Sequence, residues 1–157
     1  MTDSRSVSRR LLIIDDDPSC RMTIAYLLGK LGHTVAEAES GSAGLAILRQ
    51  QPVDLVMTDL TMPGLTGWAV ARLVKAMRPH LPVVLVTGDA YAIPLDQPER
   101  LYVDALLAKP CGLAEIQAVI GPLTRDRADT VGARDPASGG FPTGRSWETN
   151  ITGPGPL

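Results

Sequence analysis

The sequence predicts an α/β fold, a five-stranded parallel sheet doubly wound by helices, on three observations. Short, continuous apolar runs alternate with longer segments of helical period, the pattern of strands buried on both faces and joined by crossover helices. Two of those runs break off on acids, in "RRLLIIDDDPS" and "VMTDLTMPGLTG". The chain has 157 residues, enough for one domain with a proper core and a tail.

The elements follow in order. Leu11 to Ile14 form the first strand and run into Asp15, Asp16 and Asp17. Pro18 suits a first helical turn, and Ile24, Leu27, Leu28 and Leu31 then fall at i, i+3, i+4 and i+7 before Gly32, an apolar stripe along one helix. Thr34 to Ala38 is a weaker second strand and Ser42 to Gln51 a second helix. Val53 to Asp59 is the third strand, and Thr66 to Met77, with Trp68 and Ala71 at helical spacing, the third helix. The fourth strand is Pro82 to Thr87. The stretch after it, "GDAYAIPLDQPERLYVD", cannot hold a long regular helix because of Pro94 and Pro98. An irregular fourth helix is expected to start only near Asp96, capped by Asp96 and Glu99. Ala105 to Lys109 is the fifth strand and Leu113 to Leu123 the last helix.

The domain so defined covers residues 9–124, preceded by a flexible 1–8. Residues 125–157 hold six glycines and four prolines with no periodic apolar face, so a disordered tail is expected. A net charge of -2 and a pI near 5.6 argue against nucleic acid as partner. Cys20 and Cys111 lack metal-ligand or redox-motif spacing and read as free thiols in a reducing compartment. With no signal-like or membrane-length apolar segment, a cytoplasmic protein without membrane contact is expected.

Why should buried strands end on acids? An ionised carboxylate beside an apolar core is costly unless a charge, a metal or hydrogen bonds compensate it. In open α/β sheets, ligands gather outside the carboxyl ends of the strands. Asp15 and Asp16 follow the first strand, Asp59 ends the third, Thr87 the fourth and Lys109 the fifth. Three carboxylates repel one another without a cation among them, and hard oxygen ligands with room for water and phosphoryl oxygens suit Mg2+. A lysine and a threonine beside them can hold the other oxygens of a phosphoryl group.

At these residues the chain resembles the receiver domain of two-component response regulators, over about residues 9–124. "LLIIDDDPSCR" carries the acidic pair, "DLTMPGLTG" the phosphoacceptor loop, "VVLVTGD" the switch hydroxyl, and "LLAKP" the lysine with its following proline. The resemblance implies a flavodoxin-like fold and assigns roles. Asp59 would accept a phosphoryl group from a phosphohistidine of a histidine kinase or histidine phosphotransfer protein. Asp16, Asp59 and the Thr61 carbonyl would bind Mg2+, with Asp15 acting mainly through water. Lys109 would pair with Asp59 and then with the phosphoryl oxygens, and Thr87 would swing toward them. The aromatic usual three residues before the lysine is replaced by Leu106, with Tyr102 a turn earlier; both are output-face candidates. The expected protein is a single-domain regulator that signals by binding an unknown downstream protein or serves as a phosphorelay intermediate. It is not an enzyme beyond its own phosphorylation and dephosphorylation. Two rivals stand beside it: a haloacid-dehalogenase-like phosphohydrolase with Asp15 as nucleophile, and a non-phosphorylated interaction module.

Overall fold

A computed structural model describes residues 7–129; the side chains of residues 126–129 are outside the description. Five parallel strands, β1 (Arg10–Ile14), β2 (Thr34–Ala38), β3 (Leu55–Asp59), β4 (Val83–Thr87) and β5 (Ala105–Ala108), form one sheet. Their order is β2-β1-β3-β4-β5. The four α-helices are α1 (Pro18–Lys30), α2 (Gly41–Gln50), α3 (Gly67–Met77) and α4 (Leu113–Asp129). The doubly wound fold expected from the apolar runs is therefore the one observed.

Alternation along each strand sorts the core into two layers. Leu12 and Ile14, Val56, Val83 and Leu85, and Leu106 point to the face covered by α2 and α3. Leu11 and Ile13, Leu55 and Met57, Val84 and Val86, and Leu107 point to the other face, where Ile24 and Leu28 of α1 and Ile116, Val119 and Ile120 of α4 cover them. Both faces being covered, the central strands are apolar throughout rather than alternating, which is why they read as continuous runs.

The expected helix near Asp96 is not an α-helix, and Asp96 does not cap it. Two 3-10 turns, Ala90–Ala92 and Pro98–Tyr102, replace it, the second preceded by Gln97 with no side-chain cap bond. The Glu99 carboxylate instead accepts from the Gln97 side-chain amide. Val103 is already extended toward β5, leaving room for little more than one turn. The 3-10 turn is the tighter helix used in such short pieces.

Boundaries shift by small amounts elsewhere. Lys109 lies just past β5, although its N–H still donates to the Thr87 carbonyl at 2.9 Å. Helix α4 runs beyond the expected Leu123, to Asp129 with Pro122 inside it. The expected flexible 1–8 falls mostly, and the expected tail almost wholly, outside the described residues.

Candidate functional site

The strand ends bring the expected residues to one edge. Asp15 directly follows β1 and is almost fully buried, 1% exposed. Both its oxygens are engaged: Oδ1 accepts from the Asp17 N–H at 2.9 Å, and Oδ2 pairs with Lys109 Nζ at 2.8 Å. Asp59 closes β3 and is 9% exposed; its Oδ1 lies 3.2 Å from the same Nζ. Lys109 thus bridges two carboxylates carried by neighbouring strands. Asp16 is exposed, and the carboxylate oxygens of Asp15, Asp16 and Asp59 come within 4.8 Å of one another.

The charges explain the titration. Burial pushes the Asp59 carboxyl above its ordinary range, the Lys109 cation opposes this, and the Asp15 charge adds to it. Burial alone would lower Lys109, but its bond and charge contact with Asp15, together with Asp59, hold it above its ordinary value. Lys109 therefore stays a cation, and Asp59 gives up its proton less readily than a free carboxyl does.

The loop after Asp59 is built around two glycines. Gly64 has φ +79°, a left-handed conformation that side chains disfavour. Gly67 begins α3 so close to the end of β3 that an added Cβ would lie 2.3 Å from the Asp59 carbonyl oxygen. Its N–H donates to the Leu60 carbonyl at 2.8 Å. Met62 is buried in the α2–α3 layer, while Thr61 and Pro63 are exposed, Thr61 two residues past Asp59.

Thr87 ends β4 at 3% exposure, and its hydroxyl oxygen accepts from the Asp89 N–H at 3.2 Å. Asp17 caps α1, accepting from the N–H groups of Ser19 and Cys20; those bonds hold its carboxyl below the ordinary range. Of the output-face candidates, Leu106 is 2% exposed and so presents no surface, and Tyr102 is half-buried against the α2–α3 layer. The exposed large apolar side chains of this region are Tyr91, Leu95 and Leu101.

Sequence reasoning missed Arg21, whose Nη1 donates to the Asp15 carbonyl at 2.8 Å and which pairs with Glu37 at 3.5 Å. Its place one turn into α1 was the available signal. It also missed that Cys20 and Cys111 line one cavity with Lys109 and Pro110. Both thiols are pushed up, by burial first, so they are protonated at neutral pH. His33 is half-buried, and its Nδ1 accepts from the Arg9 N–H at 3.2 Å.

A family model described as "Response regulator receiver domain" matches residues 11–121, and the chain belongs to that family. It is 42% identical over 80 residues to "Protein PilH" of Pseudomonas aeruginosa, covering 50% of this chain and 66% of that one. It is 36% identical over 104 residues to "Chemotaxis protein CheY" of the same organism, covering 64% and 84%. A receiver domain structure from Clostridium thermocellum superposes with a TM-score of 0.68 at 28% identity, over 76% of this chain and 97% of the other. The match to the transcriptional regulator AfsQ1 of Streptomyces coelicolor spans 34% of that protein, so the chain spans about a third of that curated relative and 66% of PilH. Among the described residues no helix is long and apolar enough to cross a membrane.

Proposed function

We propose that Asp59 accepts a phosphoryl group from a phosphohistidine and that the chain signals by phosphorylation-dependent binding or as a relay intermediate. The observation that carries this reading is the Lys109 bridge: one cation held between the Asp15 and Asp59 carboxylates, with Asp16 beside them. An Asp59 oxygen attacks phosphorus as the P–N bond breaks; the imidazole keeps that electron pair and a proton. The product is an acyl phosphate, and the protein's contribution is positioning and charge. Lys109 can turn from Asp59 to a phosphoryl oxygen without leaving Asp15. The Thr87 hydroxyl can leave the Asp89 N–H and donate to another.

The donor set fits Mg2+: three clustered carboxylates, one of them exposed, suit a hard cation that keeps several waters. Asp16 and Asp59, with the Thr61 carbonyl, would hold it, Asp15 acting mainly through water, and it would supply charge neutralisation for the transferred group. Asp15 is a poor candidate for the nucleophile of a phosphohydrolase. It is buried, and both its oxygens are occupied.

The partners on this reading are a histidine kinase or phosphotransfer protein upstream and a protein target downstream, in the cytoplasm, with no turnover beyond the domain's own phosphate. The test is incubation with acetyl phosphate, with and without a chelator. Labelling should require the divalent ion and be lost in Asp59→Asn; labelling that survives in that variant overturns the assignment.

A further inference from the structure

The connection between β4 and β5 begins at the switch hydroxyl and is held from its far end by a buried arginine. Arg100 is 6% exposed, and burial pushes its guanidinium below the ordinary value. Its Nε donates to the Pro94 carbonyl at 2.7 Å and its Nη2 to the Ile93 carbonyl at 2.9 Å. A cation is rarely buried this far, and a planar fork that grips two successive carbonyls fixes the backbone between them.

The other end is held differently. The Asp89 N–H rests on the Thr87 hydroxyl at 3.2 Å, and Ala92 N–H closes the 3-10 turn on the Asp89 carbonyl at 2.9 Å. Ala90 is fully buried against the sheet, while Tyr91 is 49% and Leu95 68% exposed. A void of about 10 Å3 lies among Arg100, Val103, Ala105 and Leu106, about the volume that one water probe occupies. It borders Leu106, the position where the family resemblance puts an aromatic.

We propose that Arg100 is the positioning residue that couples occupancy of the phosphoacceptor site to the exposed face of the β4–β5 segment. It rests on the reading of Asp59 as phosphoacceptor and Thr87 as its hydroxyl donor. When the Thr87 hydroxyl turns to a phosphoryl oxygen, the Asp89 N–H loses its acceptor and the front of the segment is released. The Arg100 fork still holds Ile93 and Pro94, so the turn carrying Tyr91 moves about that fixed point instead of fraying. In this chain a buried arginine beside Leu106 serves where a rotating aromatic is missing.

The experiment is hydrogen exchange by mass spectrometry on the full chain, free and with Mg2+ and beryllofluoride, for wild type, Arg100→Gln and Arg100→Lys. Arg100→Lys keeps the charge without the fork, and carries the test if Arg100→Gln does not fold. In wild type, exchange across Asp89–Ile93 should change at least threefold on beryllofluoride addition. In the variants that difference should vanish across Asp89–Ile93, while acetyl phosphate still labels Asp59 at a rate within about twofold of wild type. A difference of wild-type size in the variants overturns the proposal, as does loss of Asp59 labelling along with it, which would mark Arg100 as a general scaffold residue. If wild type itself takes no label at Asp59, the phosphoacceptor reading has failed, and the coupling falls with it.

Discussion

Gly67→Ala tests how tightly the fold constrains Asp59. The added Cβ would stand 2.3 Å from the Asp59 carbonyl oxygen, 2.7 Å from Leu85 Cδ1 and 2.8 Å from Leu60 Cα. The leucine methyl can rotate away; the other two are main-chain atoms of β3 and the loop after it. Asp59 pairs with Val86 of β4 and Leu60 accepts the Gly67 N–H, so relief requires α3 to back away from the sheet. Overpacking of this kind costs about 1–3 kcal/mol. With unfolding entropies usual for a domain of this size, that is a fall in melting temperature on the order of 5–15 °C. Because the displaced atoms belong to Asp59 and its neighbour, labelling by acetyl phosphate should also slow, by roughly 10–100-fold. Gly29→Ala is the matched control: it lies within α1 with nothing near the added carbon, and it should stabilise by about 0.5–1 kcal/mol. Thermal unfolding of both variants decides the matter. If Gly67→Ala melts within a degree or two of wild type, the close approach does not constrain the site and the reasoning is wrong.

Other expectations follow from the same geometry. The Asp59 carboxyl is raised in the folded state, so its contribution to stability is complete below about pH 3.9 and lost as pH rises through the folded value. Asp59→Asn should therefore be more stable than wild type at neutral pH in urea titrations, with the gain fading in acid; equal midpoints at pH 7 would contradict the burial argument. Lys109→Met leaves Asp15 and Asp59 without their shared cation and should destabilise by about 1–3 kcal/mol at pH 7, less than a fully enclosed pair because Lys109 is 21% exposed. An unchanged urea midpoint would show the bridge to be unimportant. Mg2+ at about 100 times its Kd should stabilise wild type by about 2.7 kcal/mol, a shift that Asp16→Ala should lose in thermal scans. Cys20 and Cys111, both raised, should react slowly with a thiol reagent at pH 7 and faster as pH climbs; reaction as fast as a free thiol would argue against their burial.

Strands were the most legible part of the sequence because the sheet is covered on both faces, so Leu11 to Ile14 and Val83 to Val86 are apolar without interruption. The acids were legible for the same reason: Asp15 and Asp59 stand out where an apolar run should end in a loop residue. Lys109 was visible as a charge closing a buried strand. The β4–β5 connection was not, since Pro94 and Pro98 say what cannot form without saying what does. Nothing local marks Arg100 for burial; its partners include the carbonyls of Ile93 and Pro94, which carry no side-chain signature. The exchange of Asp96 for Gln97 at the start of the second 3-10 turn is the same failure in miniature. There a short neighbouring contact, Gln97 with Glu99, outcompetes the cap that spacing suggests. The shared cavity of the two cysteines was equally invisible, because only the folded sheet brings α1 beside the loop after β5.

The central claim is that Asp59, and no other carboxylate of the cluster, becomes the acyl phosphate. Reductive trapping tests it most directly: the protein is treated with acetyl phosphate and Mg2+, the acyl phosphate is reduced with borohydride, and the converted residue is located by peptide mass mapping. Conversion of Asp59 to homoserine, with Asp15 and Asp16 unchanged, is the expected result. Conversion at Asp15, or at no aspartate when the labelled protein is known to carry phosphate, would contradict it.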